Sequence, residues 1–451
     1  MRNLENSYAW WERAGAVLAG GFATLSKNPD RFPFGVAPLV LTRGRGCYVT
    51  DVDGNTFIDT IGALGPVIFG YDWPSITQAS VEAIRDFGGP AFSLGHFLEI
   101  EVAEMLAGNH LAVDTVRFCK NGADACQAAV RVARSATERR HILCSGYHGH
   151  HDWYISTTDK AGGIVTNDSQ FTHQFAWGDT DQFDELLLAY GHDLAGIILE
   201  VPPLAWDNDD QISDIGFFLN DIAEAALQWD AIFILDEVVT GFRYGLGGAS
   251  AYYGVTPDLV CLGKGMANGW PLAAIGGDRN LMSEFNGGNV FLSTTNGGDV
   301  LSLAATRACI RDLEDGVHLA QLWERGKELG SGIYDIIKEL TLPVELIGNP
   351  ARMVMKWSDH EAVSADAIKT LFLQEVISQD VLFGGPIFPT VVMSPQDIRK
   401  VLDAVGHAAT KVKQALISPI FNKYLVCPVI EDVFSKRYRA GPNQASAISG
   451  V

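Results

Sequence analysis

Lys264 sits between Gly263 and Gly265, directly after the apolar run that begins at Leu259. An amine in that setting can reach a bound aldehyde and form an imine with it. Upstream, the run Ala231-Ile232-Phe233-Ile234-Leu235 delivers Asp236, which opens the stretch Asp236-Glu237-Val238-Val239-Thr240-Gly241-Phe242-Arg243. A carboxylate fixed at a strand end can hold a heterocyclic nitrogen in its protonated form. In open α/β sheets ligands bind at the carboxyl ends of the strands, so two strands ending in these groups would offer both to one crevice. A lone Gly-Lys-Gly is usually an ordinary loop, and it is Asp236 that gives it weight. The segment is not a phosphate-binding P-loop. Asp258 occupies the place of the first glycine, and Gly265 that of the Ser/Thr.

Other motifs extend the set. Lys120-Asn121-Gly122-Ala123-Asp124 precedes a helical pattern with Cys126, Ala129, Val130 and Ala133 on one face. A glycine turn at a helix N-terminus suits an anion such as phosphate. Tyr147-His148-Gly149-His150-His151 offers an aromatic ring for stacking. Its three histidines lack a carboxylate at helical ligand spacing and a thiolate, so they read as loop residues rather than a zinc site. Ser293-Thr294-Thr295-Asn296-Gly297-Gly298 is a hydroxyl-bearing turn that can also hold an anion. Val238 is either a ring-packing residue or an ordinary core valine. An amine, an anion and a phosphate cradle together are what pyridoxal phosphate requires.

The elements that must carry these groups follow from periodicity. Strands are predicted at 115–119, 141–145, 195–200, 231–236, 258–262 and 272–276, alternating with helical segments. That alternation predicts an α/β fold with a doubly wound, mostly parallel sheet. Residues 4–25 have helical spacing, and Gly46 to Asp59 reads as a hairpin turning at Asp53-Gly54-Asn55. A long helix is predicted over 306–340, followed by a smaller α+β segment and a helix from Pro395 to Leu416. Tyr438 to Val451 has the composition of a loose tail.

The 451 residues, 47% hydrophobic, are ample for two or three domains. A net charge of −21 repels phosphate backbones and anionic lipid, which argues against nucleic-acid and membrane partners. Seven scattered cysteines without CxxC spacing suggest free thiols in a reducing cytoplasm. Neither a clean signal peptide nor an apolar run long enough to span a bilayer is visible.

Six ordered blocks, Gly46 to Asp59, Asn121 to Arg134, Gly146 to Gly149, Leu235 to Arg243, Pro257 to Pro271 and Ser293 to Ala305, resemble the class III pyridoxal-phosphate-dependent aminotransferases, especially the branch containing glutamate-1-semialdehyde aminomutase. The resemblance implies fold type I, with a mostly parallel seven-stranded sheet in a large domain and a smaller α+β domain. It divides the chain into an N-terminal segment (1–60), a cofactor domain (61–305), a C-terminal small domain (306–420) and an extension (421–451). It makes Lys264 the Schiff-base lysine, Asp236 the pyridinium partner, Val238 the ring-packing residue and Tyr147 the stacking aromatic, with His148 beside it. Asn121, Gly122 and Ala123 fall at the phosphate grip, and Glu200 falls near the ring's 3-hydroxyl. Thr295 matches a residue that reaches the phosphate of the neighbouring subunit, which implies a homodimer.

Several positions depart from the family pattern. Ala123 replaces a usual Ser or Thr, and Asn296 replaces an apolar or aromatic residue. Leu64 stands before Gly65-Pro66 where the aminomutase has tryptophan, and Thr24 and Lys27 fall near its substrate-carboxylate serine and arginine. The expected activity is amino transfer from a small-molecule donor to a carbonyl acceptor. The rivals are an intramolecular aminomutase, a decarboxylase or racemase on the same cofactor, and a non-catalytic scaffold with a degenerate site.

Overall fold

The computed structural model describes residues 2–165, 168–206 and 211–431. The chain divides into two compact units, one gathering residues 2–73, 203–206 and 317–431, the other 74–202 and 211–316. The first unit begins with α1 (Glu5–Val17), then β1 (Leu41–Arg45), β2 (Tyr48–Asp51) and β3 (Thr56–Asp59). Helix α1 is shorter than the predicted 4–25. Gly20 and Gly21, at φ +73 and +87, turn the chain where a helix would continue. The predicted hairpin is β2–β3, with Tyr48 opposite Ile58 and Thr50 opposite Thr56. Its turn is closed by Asp51, whose Oδ1 accepts from the amides of Asp53 (3.0 Å) and Asn55 (2.8 Å).

The second unit runs α2 (Pro74–Phe87), α3 (Phe97–Asn109), β4 (Thr115–Cys119), α4 (Gly122–Thr137), β5 (His141–Ser145), α5 (Asp152–Ile155), β6 (Thr172–Gln174), α6 (Thr180–Tyr190), β7 (Leu194–Glu200), α7 (Gln211–Gln228), β8 (Ile232–Asp236), α8 (Gly248–Tyr253), β9 (Leu259–Leu262), β10 (Ala273–Gly277), α9 (Arg279–Met282) and α10 (Val300–Leu313). Its seven-stranded sheet has the order β4-β10-β9-β8-β7-β5-β6. Strands β6, β5, β7, β8 and β9 are parallel neighbours, and β10 is antiparallel to both β9 and β4. All strands except β10 therefore run one way. The central strands are apolar up to the carboxylates that end β7 and β8, because both faces are covered. The six predicted strands correspond to β4, β5, β7, β8, β9 and β10. Strand β6 escaped because three residues show no period.

The first unit resumes with α11 (Val317–Leu340), β11 (Val344–Asn349), β12 (Arg352–Trp357), α12 (Ala365–Ser378), β13 (Val381–Leu382), β14 (Pro386–Ile387) and α13 (Pro395–Leu416). The helix predicted over 306–340 is in fact two, α10 and α11, interrupted at Gly316 with φ +72. Helix α13 begins with Pro395 in its first turn and a reciprocal cap between Ser394 and Asp397. Sheets of order β1-β2-β3-β13 and β11-β12-β14 complete this unit. Its core includes Ile333, Leu371, Phe372, Val376, Ile398 and Val405. The predicted tail from Tyr438 lies outside the described residues. Among the described residues no helix is long and apolar enough to cross a membrane.

Candidate active site

Because β4, β5, β7, β8 and β9 share one direction, their carboxyl ends lie along one edge of the sheet. From that edge emerge Asn121 and Gly122 after β4, Tyr147 and His148 after β5, Glu200 ending β7, Asp236 ending β8 and Lys264 after β9. Asp236 pairs with Cys261 in the β8–β9 register. Lys264 is half-buried and has φ +41, a conformation that side chains rarely adopt and that marks a constrained position.

Asp236 is only 3% exposed and is held on both oxygens. Oδ2 accepts from His148 Nδ1 at 2.8 Å and from the Cys126 thiol at 3.2 Å. Oδ1 accepts from the Val238 amide at 3.0 Å. The second nitrogen of His148, Nε2, faces the carbonyl of Ser145 at 3.2 Å. Both ring nitrogens thus meet acceptors, which only the doubly protonated imidazolium satisfies. Burial opposes that charge, yet the Asp236 and Cys126 hydrogen bonds outweigh it and push the His148 pKa up to about 10. The result is a buried imidazolium–carboxylate pair at the end of β8.

The turn after β4 is built as the sequence suggested. Asn121 caps α4, its side-chain oxygen accepting from the Asp124 amide at 3.0 Å. The amides of Gly122 and Ala123 open the helix, where four N–H groups lack intrahelical partners. A Cβ on Gly122 would come within 2.6 Å of Val238 Cγ1, so Val238 packs directly beneath this turn. Gly149, at φ +98, leaves no room for a side chain either, because a Cβ there would lie 2.2 Å from the Ala123 Cβ. Glu200 Oε2 accepts from the Tyr147 amide at 3.0 Å. The Tyr147 ring is 43% exposed and meets Tyr154 edge-on.

The three loop histidines do not converge. His148 turns inward to Asp236, His151 pairs with Asp124 at 3.2 Å, and His150 is exposed. Cys126, His148 and Asp236 do form a cluster of metal-ligand type among the described residues. Its contacts of 2.8 and 3.2 Å are hydrogen bonds, whereas tetrahedral zinc would hold such ligand atoms roughly 3.3–3.7 Å apart. Thr295 is exposed in the turn between Leu292 and Asp299. That turn is tied to the sheet edge by an ion pair between Lys120 and Asp299, which also caps α10.

Sequence reading placed Cys126 on the buried face of α4 and gave it no further part. Its contact with Asp236 bridges residues far apart in the chain, and no local pattern announces it.

These residues fit pyridoxal phosphate. A carboxylate oxygen can accept two hydrogen bonds. Oδ1 of Asp236 takes one, so a buried anion keeps acceptor capacity for a ring N–H. The open amides of α4 suit a phosphate, and the amine of Lys264 leaves the same edge.

Comparison with known proteins agrees. The profile of the family described as Aminotransferase class-III matches residues 33–349. The chain is 31% identical over 418 residues to the 3-aminobutyryl-CoA aminotransferase of Cloacimonas acidaminovorans, spanning 92% of this chain and 99% of that protein. It is 33% identical over 421 residues to the glutamate-1-semialdehyde 2,1-aminomutase of Methanothermobacter thermautotrophicus, spanning 90% and 96%. A solved transaminase with PLP bound superposes with a TM-score of 0.83 at 24% identity, covering 93% of this chain and all of its own, a likeness of fold. Identity sustained over nearly the whole length settles the family: this chain belongs to the class III aminotransferases, enzymes of fold type I that transfer amino groups with pyridoxal phosphate.

Proposed function

We propose that this enzyme moves an amino group from a donor amine to a separate carbonyl acceptor, with Lys264 as the reacting amine. The observation that carries the reading is the β8–β9 register, which brings Asp236 and Lys264 out at one sheet edge. When bound, pyridoxal phosphate supplies an aldehyde for the amine and a protonated ring that withdraws electrons from the substrate carbon. Lys264 would supply the amine that holds the aldehyde and, once free, the base and acid that moves a proton off and onto the substrate carbon. Asp236 would face the ring nitrogen through Oδ1, with the His148 imidazolium beside its other oxygen.

Val238 would pack on one face of the bound ring and Tyr147 would cover the other. The amides of Gly122 and Ala123 would receive the phosphate, with Asn121 orienting them through its cap. Glu200, bonded to the Tyr147 amide, stands toward the ring hydroxyl. Their fixed placement reduces reorganisation as charge develops.

A second copy of the chain completes the site, contributing Thr295 to the phosphate. Exposed Phe92, Leu94, Phe97, Ile100 and Phe291 in the second unit support an apolar contact of this kind. Beside them lies a cavity of about 560 Å³ lined by Glu99, Ile100, Phe118, Thr294 and Gly297. All seven cysteines are free and, apart from Cys427, buried, which supports a reducing, cytoplasmic setting.

Leu64, which departs from the aminomutase pattern, favours two separate substrates. The test loads the protein with pyridoxamine phosphate and adds a panel of 2-oxo acids and aldehydes. Loss of the pyridoxamine phosphate absorbance with one of them is expected, and no conversion with any would turn the reading toward an intramolecular mutase. Borohydride reduction of the holoenzyme followed by peptide mapping should label Lys264.

A further inference from the structure

We propose that Cys126 is a positioning residue for amino transfer, its thiol fixing the orientation of the Asp236 carboxylate. The proposal rests on the role given to Asp236 above. Helix α4 packs against β8 and β9, and at that contact Cys126 is fully buried. Its Sγ lies 3.2 Å from Asp236 Oδ2, a contact in which the thiol is the donor. Cys261, the register partner of Asp236, lies beside the same sulfur. The Cys261 hydrogen bond, burial and the Asp236 charge all push the thiol pKa up and keep it protonated.

The two carboxylate oxygens are therefore unequal. Oδ2 takes His148 and Cys126, while Oδ1 takes one backbone amide. Two donors on Oδ2 lock the plane of the carboxylate and reserve Oδ1 for the ring nitrogen. A thiol is a weak donor, and a weak donor added to the imidazolium sharpens this orientation rather than creating it. The residue is invisible in the sequence because Cys126 lies on α4 and its partner ends β8, far along the chain.

The test compares holoenzyme variants C126A, C126S and C144A. Cys144 is an equally buried thiol of the same core whose only perturbation is burial. The C126A variant should lose about fivefold to tenfold in kcat with KM unchanged, since a donor to a charge is lost and substrate contacts are not. The C126S variant, with a stronger donor, should return close to wild type, and C144A should match wild type. Infrared difference spectra against C126S, which lacks the S–H oscillator, give a readout apart from activity. The Cys126 S–H stretch should lie below the free-thiol position and move up to it in D236A, with or without cofactor.

A free-thiol band in the wild type, a C126A kcat equal to wild type, or failure of serine to rescue overturns the proposal. Should C126A fail to fold, C126S kinetics and the D236A band still decide it. D236A itself should be nearly inactive. An active D236A would sink the reading of the site, whereas an inactive D236A beside a fully active C126A would sink only the part given to Cys126.

Discussion

Of the buried aspartates that end strands among the described residues, Asp59 and Asp236 do different work. Asp59 closes β3 in the first unit, and Asp236 closes β8 in the second. Asp59 Oδ1 accepts from the amides of Ile61 (2.8 Å) and Gly62 (3.3 Å), and Oδ2 accepts from the Tyr71 hydroxyl at 2.6 Å. All its donors are neutral, and burial pushes its pKa up. Asp236 instead has an imidazolium beside it and an oxygen with spare capacity. The residue type and its place at a strand end are the same. A buried carboxylate saturated by local amides stabilises a turn, whereas one held by distant side chains remains available to a ligand.

The contrast can be broken by substitution. Asp236→Asn should lower kcat by about a hundredfold to a thousandfold, the scale of losing a charge aimed at the reacting system. Steady-state kinetics on the cofactor-saturated enzyme checks this. His148→Phe should destabilise the protein by about 3–5 kcal/mol, because it leaves a buried carboxylate without its cation. Its pH signature has a definite sign. The folded pKa of His148 is raised from 6.5 to about 10, so the stabilisation is fully present below pH 6.5 and is lost as pH rises through 10. Tm should fall over that window in the wild type and stay flatter in His148→Phe.

Gly149→Ala should cost about 1–3 kcal/mol, since its methyl would overlap the Ala123 Cβ at the mouth of α4. Weaker cofactor binding should accompany the lower Tm. The smallest effect belongs to Asp59→Asn. With a raised folded pKa, Asp59 stabilises most below the ordinary carboxylate range and loses that contribution as pH rises through its folded value. Asparagine keeps the acceptor for Ile61 and Gly62, so stability at neutral pH should change by less than about 1 kcal/mol. A large loss of activity in this variant would erase the distinction between the two aspartates.

Much of the second unit was legible in the chain. Strands buried on both faces are written as apolar runs, so β5 and β7–β10 are legible directly, and the residues at the carboxyl ends of β5, β7, β8 and β9 are site residues. Strand β6 and the ends of α1 and α10 were not legible. A three-residue strand has no period, and a helix stop set by glycine φ angles looks like one more helical residue.

The sequence by itself determined the two-sided apolar strands, the glycines around Lys264 and the Asn-capped turn at Gly122, since each is a local choice of residue type. Only the tertiary structure decided that His148 and Cys126 share one oxygen of Asp236, that Gly149 closes on Ala123, and that Asp59 serves a turn while Asp236 stays open. Those outcomes depend on which strands lie side by side, and hydrogen bonds between residues far apart in the chain exist only once the sheet has assembled.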